Sequence, residues 1–136
     1  MRVVDASVAL KWVIDEEGSE AASLLAGESL SSPSLLLAEC ANALWAKARR
    51  REITADEILE RLSLLLSAPV LLVPLAELVE DATRLAATLD HPVYDCLYLA
   101  LAVREGTRLI TADQQFARVV RQDRDLSGHL QLLGDP

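Results

Sequence analysis

Residues 90–116 run DHPVYDCLYLALAVREGTRLITADQQF, and few folds can use such a stretch. Pro92 presets the φ of a first helical turn and lacks the N–H that would stand orphaned there. From Val93 to Val103 nearly every residue is apolar, which predicts a helix buried on almost all sides. Asp95 is the exception, and a buried carboxylate without a partner is costly. Gly106 ends the helix. Leu109 and Ile110 then read as a short buried strand, with Thr111-Ala112-Asp113 directly at its carboxyl end. Ligands of open α/β sheets sit at the carboxyl ends of strands. Asp95 and Asp113 are therefore expected to approach one another at a ligand site.

The rest of the chain repeats this alternation. Arg2-Val3-Val4 is a β-rich run ending at Asp5, and a helix follows through Val8, Leu10, Trp12, Val13 and Ile14. Glu16-Glu17-Gly18 interrupts, Ser19 to Ala26 reads as a short helix, and Leu30-Ser31-Ser32 as a strand. Pro33 is expected to open a long helix with Leu36, Leu37, Cys40, Ala41, Leu44 and Trp45 facing inward. Glu39 and Asn42 stand three apart on it and so share a face. Thr54 with Glu57 three residues on is a capping-box pattern and starts an amphipathic helix to about Ser67. Val70 to Val73, bounded by Pro69 and Pro74, reads as a buried strand. Leu75 to Leu89 is a further helix, with Leu78, Val79, Ala82, Leu85 and Ala86 inward. A helix from Asp113 to about Arg121 and an edge strand within His129–Leu133 complete the pattern. Strands alternating with helices predict an α/β fold, a parallel sheet with helices on both faces.

Length and charge bound the function. A chain of 136 residues is one domain, residues 1–136, and at 51% hydrophobic residues it has enough for a real core. No apolar run nears the ~18 residues of a membrane span, and the N-terminus begins a strand with no signal-peptide pattern. The expected location is cytoplasmic. Cys40 and Cys96 lack metal-type spacing and read as buried free thiols. The net charge of −8 taken alone argues against nucleic-acid binding, which usually leaves a basic footprint. Two basic groups, Lys47 with Arg49–Arg51 and Arg118 with Arg121 and Arg124, qualify that, although each also suits a solvated helix end.

Four acids stand out: Asp5 and Asp113 after strands, Glu39 and Asp95 on apolar helix segments. Each alone has a plainer reading. Asp5 or Ser7 can cap a helix, as can Thr111 or Asp113. Together they suggest one site, because crowded carboxylates repel and raise one another's pKa unless a hard cation lies between them. Oxygen ligands suit Mg²⁺ or Mn²⁺, and such a site can activate water for phosphodiester cleavage.

Taken in order, VVDASVAL, PSLLLAECANAL and HPVYDCLYLALAVREGTRLITADQQF resemble the PIN-domain nucleases, and within them the VapC-type toxins of toxin–antitoxin pairs. The resemblance covers the whole chain. It implies a PIN-like three-layer α/β fold with a parallel sheet of about five strands. It also implies Mg²⁺- or Mn²⁺-dependent endoribonuclease activity, inhibition by a cognate VapB-type antitoxin, and a homodimer. The family's acids match Asp5, Glu39, Asp95 and Asp113 as catalytic and metal-binding residues, and Ser7, Asn42 and Thr111 match its polar supporting positions. His91 and His129, as lone histidines, read as structural. A receiver-type Mg²⁺ module would need an acidic pair after the first strand and a Lys after a late one, and the chain has neither. A phosphatase of the haloacid-dehalogenase type would need Asp-x-Asp where Ser7 holds the second position. A non-catalytic PIN-like protein would have lost an acid, and none is lost.

Overall fold

Side chains of a strand alternate between the two faces of its sheet, and that alternation sets the layers here. In the computed structural model, which describes residues 1–136, β1 (Arg2–Val4) sends Val3 to one face and Val4 to the other. Val3 joins the main core. Val4 joins a smaller cluster with Val8, Ala22, Leu25, Leu30 and Ile110. Two short helices supply the cover on that second face: α1 (Ala6–Ala9), prolonged by a 3-10 turn at Leu10–Trp12, and α2 (Ser19–Leu25). Gly18 starts α2 with φ at +88°, a left-handed conformation that favours glycine.

The remaining elements follow in chain order. They are β2 (Leu30–Pro33), α3 (Leu35–Arg49), α4 (Ala55–Leu66) and β3 (Val70–Val73), then α5 (Val79–Leu89), α6 (Val93–Arg104), β4 (Leu109–Thr111), α7 (Gln114–Arg121) and β5 (Leu130–Leu132). All neighbouring strands are parallel, in the order β3-β2-β1-β4-β5. The chain builds outward from β1 in one direction and then returns to build outward in the other. The order therefore reverses between β1 and β4, and a ligand crevice opens at the carboxyl ends of strands at such a point. Asp5 and the segment Thr111–Asp113 stand there. The expected three-layer α/β fold with five parallel strands is the one found.

α6 lies against β1, β2 and β4, and α5 packs along it. Cys96 to Ala102 are all buried, as an unbroken apolar run requires. No helix is long and apolar enough to cross a membrane. Both cysteines are free and buried.

Four local expectations are corrected. Val70–Val73 is an edge strand, with Leu71 57% exposed, because β2 occupies only one of its sides. Four apolar residues in a row do not reveal whether a strand has one neighbour or two. Pro33 closes β2 in register with Val73, and the long helix starts at Leu35. Trp45 is 51% exposed, with the Arg49 guanidinium 5.5 Å from its ring centre. A 3-10 turn over Leu75–Glu77 delays α5, which leaves its first residue, Val79, exposed.

The capping box of α4 is complete: Glu57 N–H donates to Thr54 Oγ1 at 3.3 Å and Thr54 N–H to Glu57 Oε1 at 3.0 Å. Thr54→Ala should therefore cost about 1 kcal/mol. Urea unfolding checks it, and an unchanged midpoint would show that the cap contributes nothing.

Candidate active site

Asp5 follows β1 and is the N-cap of α1, so its carboxylate is held by the backbone itself: Val8 N–H donates to Oδ1 at 3.3 Å. Ser7 Oγ donates to the same oxygen at 2.5 Å. Thr111, the last residue of β4, donates its hydroxyl to Oδ2. Ala112 N–H in turn donates to Ser7 Oγ at 2.9 Å, and Asp113 N–H to Thr111 Oγ1 at 3.0 Å. The carboxyl ends of β1 and β4 are thus stitched together by side chains where the sheet ladder stops. Burial pushes the Asp5 carboxyl up to about 6; its three hydrogen bonds oppose the rise and the negative charge of Asp95 adds to it.

Glu39 lies on α3 and is half-buried, and Tyr98 of α6 donates its hydroxyl to Glu39 Oε1. Burial raises the Glu39 pKa, the Tyr98 bond lowers it, and the charge of Asp95 raises it again. Burial first, and Glu39 next, hold the Tyr98 phenol above its usual range, so it stays a donor. Asp95, in the first turn of α6, meets His91 Nε2 at 2.7 Å through Oδ2. Asp113 is the N-cap of α7 and accepts from Phe116 N–H at 3.0 Å. Of the two residues able to start that helix, Asp113 does so, and Thr111 turns to Asp5 instead.

Asp5, Glu39 and Asp95 therefore share one electrostatic neighbourhood. Asp113 stands at its edge, two residues from the threonine that holds Asp5. No three His, Cys, Asp or Glu side chains close into a ready metal-binding group. No Lys or Arg pairs with any of the four acids. An open cleft lined by Leu35, Ala38, Glu39, Asn42, Ala43 and Tyr94 runs beside Glu39. Asn42 is exposed there, one turn from Glu39, and forms no hydrogen bond to the acids. Burial pushes the Cys40 thiol up to about 12 and the Cys96 thiol to about 11, so neither is a nucleophile at neutral pH.

Of two contacting residues, Tyr98 escaped the sequence reading and His91 was read there only as a lone structural histidine. Tyr98 had a signal: a hydroxyl in the middle of an apolar run needs a buried partner. His91 had a fainter one, its spacing of four from Asp95. His129 donates its Nδ1–H to the Thr107 carbonyl, 2.8 Å away, a structural contact.

The Asp5 value fixes a pH dependence. Its folded pKa, about 6, lies above the unfolded value of 3.8. The stability tied to this group is thus fully present below 3.8 and lost as pH rises through about 6. In chelator-treated protein, the stability of the wild type relative to Asp5→Asn should fall by an amount on the order of 3 kcal/mol between about pH 4 and pH 7.5. Urea unfolding at the two pH values measures it, and a constant difference would contradict the buried, desolvated carboxylate.

The PIN domain profile matches residues 2–122. Ribonuclease VapC3 of Pyrobaculum aerophilum is 39% identical over 120 residues, covering 85% of this chain and 91% of that protein. The solved structure of Mycobacterium tuberculosis VapC20, a Sarcin-Ricin loop cleaving toxin, superposes with a TM-score of 0.67 at 18% identity, over 87% of this chain and 94% of that one. VapBC2 of Rickettsia felis, solved bound to a DNA fragment from its own promoter, superposes with a TM-score of 0.62 at 14% identity, over 96% and 97%. Matched along most of its length by the profile and by so near a relative, this chain belongs to the PIN-domain family.

Proposed function

We propose that this protein is a divalent-metal-dependent endoribonuclease, the VapC-type toxin of a toxin–antitoxin pair. The observation that carries the reading is the group of carboxylates at the switch point. Two of them have raised pKa values, and none is neutralised by a Lys or Arg. Such a group favours a hard cation, and its donors, all carboxylate oxygens, fit Mg²⁺ or Mn²⁺. The likeness to ribonucleases named VapC supports RNA as the substrate class.

Asp5 and Asp95 would bind the ion directly, with Glu39 and Asp113 completing the site, through water or at a second ion. The side chains must draw together to share it, since they form no closed group as they lie. Ser7 and Thr111 fix both oxygens of Asp5, and Tyr98 fixes one oxygen of Glu39. A bound cation supplies positive charge for the scissile phosphate and lowers the pKa of water there. The resemblance to the PIN-domain nucleases implies products with a 5′-phosphate and a 3′-hydroxyl.

The acids should differ in weight. Asp95 stands on the most buried helix, whereas Asp113 caps a short one at the end of a strand. A ligand on a rigid element contributes more to a preorganised site. Asp95→Asn should abolish cleavage at saturating RNA and ordinary Mg²⁺, and Asp113→Asn should keep some activity that rises with Mn²⁺. Both should fold by circular dichroism, and Asn serves as well as Asp as a cap. The reverse ranking in a metal titration would refute the ligand order, and normal cleavage by both would refute the mechanism.

A partner follows from the same charge. An acidic site attracts a basic side chain, and the superposable Rickettsia protein was solved as a VapBC assembly. The cognate antitoxin should place an Arg or Lys in the site. Co-expression with the neighbouring gene's product should yield a complex without nuclease activity. A neighbour that fails to bind would remove the antitoxin from the reading and leave the nuclease. A homodimer is also expected, and sedimentation of the isolated chain tests it.

A further inference from the structure

His91 lies outside every role assigned above, yet its side chain touches both helix starts at the site. The Asp95 end is a consequence of proline. Asp95 is the third residue of α6, the position from which a carboxylate ordinarily reaches back to the N-cap N–H. Here the N-cap is Pro92, which has no N–H, so that partner does not exist. The carboxylate turns instead to His91, Nε2 to Oδ2 at 2.7 Å. A carboxylate oxygen only accepts, so Nε2 carries the proton. The other Asp95 oxygen makes no hydrogen bond within the chain, and the side chain is 37% exposed against 15% for His91.

The second contact is between rings. His91 and Phe116 have centroids 4.7 Å apart at a tilted interplanar angle of 37°. Phe116 is buried in α7, and its N–H is the donor to Asp113. A hydrogen bond along the ring edge leaves rotation about its axis free, and the neighbouring Phe116 ring restricts it. The backbone is fixed as well. Asp90, in the left-handed region at φ +50°, ends α5 and turns the chain so that His91 N–H returns to the Ala86 carbonyl at 3.1 Å.

We propose that His91 is a positioning residue whose bond to Asp95 and ring contact with Phe116 fix how the starts of α6 and α7 stand to one another, so that Asp95 and Asp113 are placed for a cation to draw the acids together. The inference rests on the metal-dependent reading of this site. His91 need not touch the cation; it sets which Asp95 oxygen faces it and how α6 stands against α7.

The test is isothermal titration calorimetry of the full chain with MnCl₂, beside steady-state cleavage across a Mn²⁺ titration. His91→Phe keeps a ring for the contact with Phe116 and removes the donor, and should weaken Mn²⁺ binding roughly tenfold or more. The KM for RNA should stay near wild type while the Mn²⁺ needed for half-maximal rate rises. His91→Gln, which restores an N–H donor of similar reach, should recover part of the affinity, as a purely structural role would not require. Phe116→Leu, which keeps the donor and loses the ring contact, should show a smaller loss. Mn²⁺ affinity unchanged in His91→Phe overturns the inference while the wild type still binds and cleaves. If His91→Phe does not fold, His91→Gln is compared with His91→Leu: tighter binding by Gln supports the inference, and equal affinities overturn it. A wild type that takes up no Mn²⁺ overturns the metal reading, and this inference with it.

Discussion

A carboxylate buried at the end of the central strand is the constraint on which the rest of this structure depends. Asp5 is 8% exposed, and a charge so placed is tolerated only if its oxygens are satisfied. Three donors do this, two of them local and one distant: Val8 N–H and the Ser7 hydroxyl from the helix start that follows Asp5, and the Thr111 hydroxyl from the end of β4. Thr111 can serve only because β4 lies beside β1, and that adjacency exists only because the strand order reverses there. The topology of the sheet and the chemistry of one aspartate are thus the same fact at two scales.

The rise of the Asp5 pKa shows that its hydrogen bonds do not repay burial in full. A fold built for stability alone would have an apolar residue there. The remaining negative charge is what the proposed cation requires. The site is in that sense a place where local stability is given up, and the large core beneath, centred on α6, makes the loss tolerable.

Each of the other acids is steadied on one side and open on the other. Tyr98 holds one oxygen of Glu39, His91 one of Asp95, and the α7 backbone one of Asp113. Two of these three donors come from α6 and the turn leading into it. The helix that the apolar run forces into the centre therefore both builds the core and aims the acids.

The elements themselves were legible in the sequence, because apolar periodicity, a capping box at Thr54, and breaks at Gly18, Pro69 and Gly106 are local signals. The candidate acids were legible too, since an acid after a strand or on an apolar helix is conspicuous. The sequence also predicted a partner for Asp95, on the ground that it would be buried; the side chain is 37% exposed and is partnered all the same. What the sequence did not determine was which partner. His91 precedes the helix, so its reach to Asp95 depends on the left-handed turn at Asp90, and its ring contact with Phe116 joins residues 25 positions apart. The exposure of Leu71 and Trp45 was likewise decided by neighbours and not by local pattern. Propensity and period act within a few residues. Strand order, edge position and the pairing of side chains from separate helices are long-range facts, and only the packed tertiary structure settles them.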